Sequence, residues 1–473
     1  MFKLKQNNTT VRTELVAGIT TFMAMAYILM VNAGMFSTLG GDALGASYYN
    51  AVYIATALSA VFGTLLIGLL SNLPLAQASG MGLNAFFVYS VCIGMGFTYA
   101  NALVMVLVDG IVFLILTVTG LRRVIFDAIP KAVKAAIAPG IGLFIAFLGL
   151  QNSGIVVNSD STLVDLHSFN LMFGHTTWAE IMPLLVTIFA IIAIAAMAKK
   201  KVKGAVFWGI IGGAVAYYAL GLITIENFYA EHVQGSLSLN IIQPFRDFFS
   251  LSFGKVFTEG FDFSAFIAAN GAGSFVATFI ATMLAFCMVD MFDTLGTLYG
   301  ACRGGNLLVK NDKGELEVPN MDRAMMADAV ATCTGSVLGT STVTTFVESS
   351  AGVAAGGKTG VTSLVTAAAF AVALFFAPIA KLIPPYAYGA ALIYVGVLMI
   401  GSVKDIDWKD VSVSVPAFLT IAMMPFTYNI SYGIAFGLFS YVIIKAFCGE
   451  IKQIKIGTWV VTALFVAMFF LTH

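Results

Sequence analysis

Fifteen apolar runs, many of them close to 20 residues long, follow one another along this chain and limit what it can fold into. They lie near 15–36, 51–71, 75–96, 99–120, 132–150, 178–198, 204–224, 273–298, 324–338, 343–356, 361–378, 386–402, 411–427, 431–448 and 457–471. A helix needs about 20 apolar residues to cross a bilayer. Only 10% of the 473 residues are charged, against about 25% in soluble proteins. The sequence therefore predicts an all-α polytopic protein of about 14 spans, with the lipid bilayer as its surroundings.

The remaining residues exclude several classes of function. No basic block and no interleaving of aromatic with basic residues indicates a nucleic-acid partner. The five cysteines are scattered and lack CxxC spacing, which favours small buried thiols over a metal site. The sequence accordingly predicts neither a metal nor a cofactor.

Lysine and arginine alternate between the loops and predict the orientation of the chain. Loops 37–50 and 151–176 contain no Lys or Arg, whereas 199–203 contains four lysines. Because positively charged loops stay in the cytoplasm, we expect a cytoplasmic N-terminus. Residues 1–14 lack a signal-peptide pattern, so the first run should be a retained span. The last run, 457–471, fits either an extra span or a helix lying in the interface.

Two of the runs are interrupted. Run 75–96 opens with polar residues and is punctuated by Gly80 and Gly82, and run 343–356 follows a stretch rich in β-branched and hydroxyl residues. Irregular backbone at membrane depth persists only where it is buried in protein or lines a cavity. These runs are third and tenth in the chain, as two inverted repeats of seven spans would require. Interrupted spans at matching positions of two repeats point to a transporter site.

Several acids lie inside apolar runs. Asp290 and Asp293 are three residues apart, so they share one helix face, and Asp109 lies alone in the fourth run. Ionisable residues at membrane depth usually mark a pathway or a binding site. Because low-dielectric surroundings favour the neutral acid, the aspartate pair is suited to taking up and releasing a proton. Asp109 is either structural or lines the pathway.

Four elements should meet at one site. Two half-helices begin after the interruptions, one with Asn84 and the other, from about Thr345, with Glu348 in its first turn. The aspartate pair and the first span, with Thr20, Thr21, Phe22 and Tyr27, complete the set. A carboxylate and an amide can bind a flat heterocycle that carries adjacent N–H groups, with an aromatic ring stacked on its face. Asn84 could instead only cap its helix, and Glu348 could only complement a helix dipole.

Three motifs together resemble those of the AzgA-like purine permeases of the nucleobase–ascorbate transporter superfamily. They are Gly80–Phe87, Asp290–Thr297 and Gly339–Gly352. The resemblance covers nearly the whole chain and implies a uracil-transporter-type fold, with two seven-span inverted repeats and short strands in spans three and ten. Ser79 departs from the family, which usually has proline there, and this should alter local rigidity or specificity.

The resemblance also implies a division into domains, and related folds often form homodimers. A cytoplasmic N-terminus (1–14) precedes a core domain made of 15–120 and 273–378. The gate domain comprises 121–272, with an external loop at 225–272, and 379–448, and a C-terminal segment (449–473) follows.

The activity that this resemblance implies is proton-coupled uptake of purine nucleobases across the plasma membrane by an elevator-like movement of core against gate. Guanine and hypoxanthine are favoured, and adenine fits as well. The substrate-binding residues would be Glu348, Asn84, Asp290, Thr344, Thr345 and Phe22, and the proton-coupling residues Asp293, Asp290 and Glu348.

Three alternatives compete with this interpretation. A uracil or xanthine symporter of the same fold is the nearest, although a different tenth-span motif would be expected. An anion carrier of this fold is disfavoured by the carboxylates at the centre. An intramembrane aspartyl protease needs two acids on facing elements, whereas Asp290 and Asp293 share a helix, so the sequence predicts a transporter and not an enzyme.

Overall fold

Helices joined by short turns make up most of this protein in the computed structural model, which describes residues 2, 4–120, 129–172, 174–230, 240–305, 307–310 and 316–472. The first half contains α1 (Val11–Met25), α2 (Tyr27–Ser37), α3 (Gly41–Ser71), α4 (Met81–Ala85, continued by a π-helix at Phe86–Gly94), α5 (Tyr99–Thr119), α6 (Lys131–Asn152), α7 (Trp178–Lys199), α8 (Ala205–Thr224), α9 (Ile242–Leu251), α10 (Lys255–Thr258) and α11 (Ser264–Asn270). The second half contains α12 (Ala272–Gly304), α13 (Met321–Leu338), α14 (Ser349–Ala354), α15 (Gly360–Ala373), α16 (Ala377–Ala380), α17 (Pro385–Ile400), α18 (Val411–Phe426), α19 (Ile430–Phe447) and α20 (Ile456–Thr472).

These helices follow the predicted apolar runs in order. Within the described ranges, nine helical stretches are long and apolar enough to cross a bilayer. One of them, Val11–Ser71, contains the first two predicted runs, and shorter apolar helices at Met81–Gly94 and Val411–Phe426 correspond to the third and thirteenth. The third is short because an extended segment takes up its first part. The chain is a multi-pass membrane protein.

Short strands interrupt the third and tenth runs, as predicted. Strand β1 (Gln77–Ser79) pairs antiparallel with β6 (Val343–Thr345), so that Gln77 faces Thr345 and Ser79 faces Val343. Two further backbone bonds extend the ladder, from Gly80 N to Thr342 O (2.9 Å) and from Phe346 N to Ala76 O (3.0 Å). All six strand residues are buried. Each broken span therefore satisfies the other's backbone groups, which lipid could not do.

Helix packing divides the protein into two groups around this strand pair. In the first helix group, α3 packs against α13 and α15, α1 packs against α14 and α15, and α5 packs against α12 and α13. In the second helix group, α17 packs against α6, α7 and α8, while α18 packs against α6 and α19. The last helix, α20, packs along α12 and α19.

Three segments expected to be loops contain regular structure. Between α6 and α7, β2 (Val156–Ser159) pairs with β3 (Leu163–Leu166), and β4 (Val309–Lys310) pairs with β5 (Leu316–Glu317) after α12. The predicted external loop 225–272 contains α9, α10 and α11 in its described part. Helix α9 packs against α3, where Asn50 Nδ2 donates to Asp247 Oδ2 (2.8 Å). Helix α9 is too short to cross a bilayer and buries only one face. The apolar runs of the sequence therefore did not predict it.

Candidate functional site

A cavity lies where the strand pair meets the second helix group. It encloses about 40 Å³ of water-accessible space. Its polar lining residues are two acids and three threonines, namely Asp293, Glu348, Thr297, Thr344 and Thr345. Apolar side chains of the second group face them, namely Ile141 and Ile145 of α6 and Val395 and Met399 of α17, and the two broken spans add Gly80, Met81, Gly82, Phe346 and Val347. The cavity therefore joins a polar surface of one helix group to an apolar surface of the other.

Glu348 lies immediately before α14, at the end of a tight turn that follows β6. The sequence predicted a helix from about Thr345, but α14 begins at Ser349, because 3₁₀-type bonds such as Ser349 N to Phe346 O (3.1 Å) occupy the intervening residues. Only 7% of the Glu348 side chain is exposed. The hydroxyl of Tyr27, a fully buried residue at the start of α2, donates to Glu348 Oε1.

Asp293 reaches the same cavity from α12. The Thr344 hydroxyl donates to Asp293 Oδ2 at 3.2 Å, which links α12 to the strand pair. The two cavity carboxylates are close enough to interact electrostatically. Gly80 is needed here, since a Cβ at this position would lie 2.9 Å from Thr344 Oγ1. Two acids thus share a small cavity, with threonine hydroxyls beside them.

A third carboxylate lies behind the strand pair. Asp328 of α13 is fully buried. Its Oδ1 accepts from Gln77 Nε2 (3.0 Å), and its Oδ2 accepts from the Thr294 hydroxyl (2.9 Å). Gln77 Nε2 also donates to Thr345 Oγ1 at 3.2 Å. Because Thr345 lines the cavity and Thr294 follows Asp293, this network fixes two sides of the site at once.

Asn84 lies behind the cavity and does not line it. Its side chain is fully buried, and its Oδ1 accepts from the hydroxyls of Ser79 (2.6 Å) and Ser341. Its Nδ2 donates to the Ser79 carbonyl at 3.3 Å. The network continues from Thr340 Oγ1 to Ser79 Oγ at 2.8 Å. In this conformation the amide of Asn84 holds the two broken spans together.

The other predicted site residues lie at different places around the cavity. Asp290 is fully buried and is not part of the cavity lining. Phe22 packs edge-on against Phe370, with ring centroids 5.1 Å apart. The hydroxyls of Thr20 and Thr21 bond to carbonyls of their own helix. The structure therefore brings Asp293, Glu348 and the threonines of β6 together at the cavity, and leaves Asn84, Asp290 and Phe22 outside it.

Sequence reasoning passed over Asp328 and Gln77 and named Tyr27 only as an aromatic residue. The available signal was the acid itself, because Asp328 lies inside the predicted run 324–338 and acids at membrane depth are rare. Gln77 lies within the interrupted run 75–96. Their pairing depends on how the two spans dock, which no local pattern reveals.

Cations do not neutralise the cavity acids in the part of the chain that the structure describes. Among the described residues that line the cavity, none is a lysine, an arginine or a histidine. No group of three or more His, Cys, Asp or Glu in the described ranges is placed to hold a metal ion. The arrangement can accept hydrogen bonds from a polar ligand and can take up a proton.

The chain is similar to known transport proteins in both sequence and fold. Residues 12–436 match the model of the Permease family. The guanine/hypoxanthine permease PbuO of Bacillus subtilis (strain 168) is 36% identical over 475 residues, which cover 100% of each chain. The adenine permease AdeP of Escherichia coli (strain K12) is 34% identical over 466 residues, which cover 98% of this chain and 94% of its own.

Among solved structures, the transmembrane domain of a cyanobacterium bicarbonate transporter, BicA, is similar with a TM-score of 0.58. It is 14% identical, and the match covers 91% of this chain and 97% of that one. At this identity the likeness shows the fold alone. It confirms the predicted fold class, a many-span helical transporter fold with short strands.

Proposed function

Because this chain belongs to the Permease family, and is therefore a membrane transporter and not an enzyme, we propose that it carries purine nucleobases. The resemblance to the AzgA-like purine permeases, which the sequence alone suggested, supports this proposal. So do relatives over the whole chain that are named guanine/hypoxanthine and adenine permeases. The observation that carries it is the cavity, in which Glu348 and Asp293 meet hydroxyls on one side and aliphatic side chains on the other.

Glu348 is the main acceptor for the purine. A carboxylate has two oxygens and binds best to adjacent N–H donors. Guanine presents its N1–H and exocyclic amine on one edge and hypoxanthine presents N1–H, whereas the same edge of adenine carries an acceptor. Thr344 and Thr345 contribute hydroxyls, and Ile141 and Val395 cover the faces of the ring. Guanine and hypoxanthine are therefore preferred over adenine.

Asn84, Asp290 and Phe22 remain predicted substrate contacts. Each lies outside the cavity in the conformation described above, so contact with the purine would require a rearrangement of the site. This requirement can be tested. A residue that touches the purine only in another conformation should affect the rate of transport more than the affinity for the purine in the conformation described here.

Transport is coupled to protons, with Asp293, Asp290 and Glu348 as the coupling acids. The support is electrostatic: carboxylates buried at membrane depth are costly when ionised. A proton taken up with the purine would lower that cost and be released on the other side. The lysine and arginine pattern supports a cytoplasmic N-terminus, and the proposed transport is uptake across the plasma membrane.

Movement of one helix group past the other would carry the purine. The cavity is lined on one side by the two broken spans and α12, and on the other side by α6 and α17 of the second group. A site at such a boundary opens to one side when the first group, as the core, slides against the second, as the gate. This is an elevator-like mechanism.

A substrate panel in cells lacking their own purine uptake tests the proposal. Uptake of labelled hypoxanthine should be competed by unlabelled guanine and hypoxanthine, more weakly by adenine, and poorly by uracil. A protonophore should abolish accumulation. Competition by uracil or xanthine alone would favour the alternative nucleobase symporter, and accumulation that ignores both protonophore and external pH would refute proton coupling.

A further inference from the structure

Asp109 is a buried acid that the purine site does not use. It lies in the middle of α5 and has no exposed surface. The neighbouring Gly110 packs directly on α13, where an added Cβ would lie 2.7 Å from Cys333 Sγ and 2.9 Å from Cys333 N. Asp109 is therefore held at the level of Cys333, where α5 and α13 are in close contact.

Asp290 lies at the same level. The bond between Thr294 Oγ1 and Asp328 Oδ2 (2.9 Å) sets the register of α12 against α13. Thr294 lies ten residues before the end of α12 and Asp328 lies seven residues after the start of α13, so this bond indicates that the two helices run in opposite directions. One turn back along α12 and one turn forward along α13 therefore rise together by about 5 Å. That step leads from Thr294 to Asp290, and from Asp328 to the neighbourhood of Cys333.

This placement agrees with the position of the Cys333 thiol, which is within electrostatic range of both Asp109 and Asp290. Helix α5 also packs against α12 directly. Three helices thus bring two buried carboxylates to one place, and that place is not part of the purine cavity.

The arginines of α12 and α13 lie toward the ends of these helices. Helix α5 contains no Lys or Arg. Arg303 lies 13 residues along α12 from Asp290, about 20 Å away at the rise of a helix, and Arg323 lies ten residues, about 15 Å, from Cys333. Other titratable groups on the described elements packed around the pair are Cys287, Cys333, Asp328, Asp293, Glu348, Tyr48, Tyr49, Tyr53, Tyr89, Cys92, Tyr432 and Tyr441. Nearer the helix ends are Tyr99, Tyr299, Cys302, Asp322, Lys131, Lys134, Lys445 and the ion pair Lys255–Glu259.

We propose that Asp109 and Asp290 form an acid pair that holds the transported proton outside the cavity lined by Glu348 and Asp293. This rests on the proposed proton-coupled purine transport. Two buried carboxylates that interact closely share protons and titrate as a unit. The pair alternates between one and two bound protons, so that only O–H bonds form and break as a proton enters from one side and leaves to the other.

The pair would communicate with the purine site through α12. Asp290 and Asp293 are three residues apart on that helix, and Thr294 ties the same turn to the strand pair through Asp328. A proton on the pair removes a negative charge from behind the cavity, and purine binding and protonation then favour one another by equal factors.

The test measures the dissociation constant of hypoxanthine for purified protein in lipid nanodiscs at pH 5.5 and pH 7.5. In the wild type, binding should be at least tenfold tighter at the lower pH. In Asp109→Asn this ratio should fall to threefold or less, and Asp109→Glu should restore it. Asp290→Asn makes the same test by a second route should Asp109→Asn fail to fold. Asp42→Asn, at the exposed start of α3, is the matched control and should keep the wild-type ratio.

Each outcome decides a different claim. If Asp109→Asn and Asp290→Asn both keep the wild-type ratio, the acid pair is overturned while purine binding stands. If folded Asp109→Asn binds no hypoxanthine at either pH, Asp109 belongs to the purine site, and the separation of the two sites is wrong. If the wild type itself binds no purine, the proposed function fails first.

Discussion

The two broken spans look alike in sequence, yet they contribute different things to the site. Both have a short buried strand followed by a short helix, and their strands pair with each other. On the third-span side, the amide of Asn84 bonds to Ser79 and Ser341 and does not reach the cavity. On the tenth-span side, Glu348 lines the cavity and its Oε1 accepts a single bond from Tyr27. The side chain of Asn84 in the third span therefore supports the site, whereas the tenth span supplies the carboxylate that lines it.

The largest expected effect is that of Glu348→Gln. The amide keeps the shape but loses one acceptor and the charge, and hydrogen bonds to charged groups contribute about 1.5–3 kcal/mol. We expect kcat/KM for guanine to fall about 100-fold, since about 2.7 kcal/mol corresponds to that factor. Labelled guanine uptake, scaled to the amount of protein in the membrane, measures it. Uptake within threefold of wild type would remove Glu348 from the site.

The next largest effect should come from the network behind the strands. Asp328→Asn places two amides against each other, so that one buried donor loses its acceptor, at a cost of about 1–3 kcal/mol. Hypoxanthine uptake should fall about tenfold. The double variant Gln77→Glu with Asp328→Asn exchanges the amide and the carboxylate and should recover at least half of the lost uptake. If the double variant is no better than the single one, Asp328 acts other than through Gln77.

Asn84→Ala should mainly change stability. Removing the amide leaves the buried hydroxyls of Ser79 and Ser341 without their acceptor, which should lower the free energy of unfolding by about 1–3 kcal/mol. Thermal unfolding in detergent measures this. The KM of the folded fraction should change by threefold or less. A KM increase of more than tenfold at unchanged stability would make Asn84 a direct purine contact and erase the contrast between the two spans.

Tyr27→Phe should have the smallest effect. It removes the hydroxyl that donates to Glu348 and leaves the ring packing intact, a loss of about 1 kcal/mol or roughly fivefold in hypoxanthine affinity. Tyr53→Phe is a matched control, since that buried hydroxyl donates to the Ala373 carbonyl, away from the cavity. Equal effects of the two substitutions would show that Tyr27 does not orient Glu348.

Part of the fold and part of the site could be predicted from the sequence. The order and hydropathy of the spans and the positions of the two interruptions could be predicted. A bilayer requires each span to be about 20 apolar residues long and requires every backbone N–H and C=O group to be hydrogen-bonded within the protein. Asp293 and Glu348 could be placed near each other because few acids lie at membrane depth. The direction in which Asn84 points could not, because hydrogen bonds to residues of the other broken span decide it. The pairing of Gln77 with Asp328 was missed for the same reason.

One measurement tests the contrast most directly. The dissociation constant of hypoxanthine is determined for Glu348→Gln and Asn84→Ala in parallel, each corrected for the folded fraction. The account predicts an increase of about 100-fold for Glu348→Gln and no more than about threefold for Asn84→Ala, whose bonds lie within the protein. The reverse order, with Asn84→Ala the more damaging to binding, would contradict the assignment of the chemistry to the tenth span.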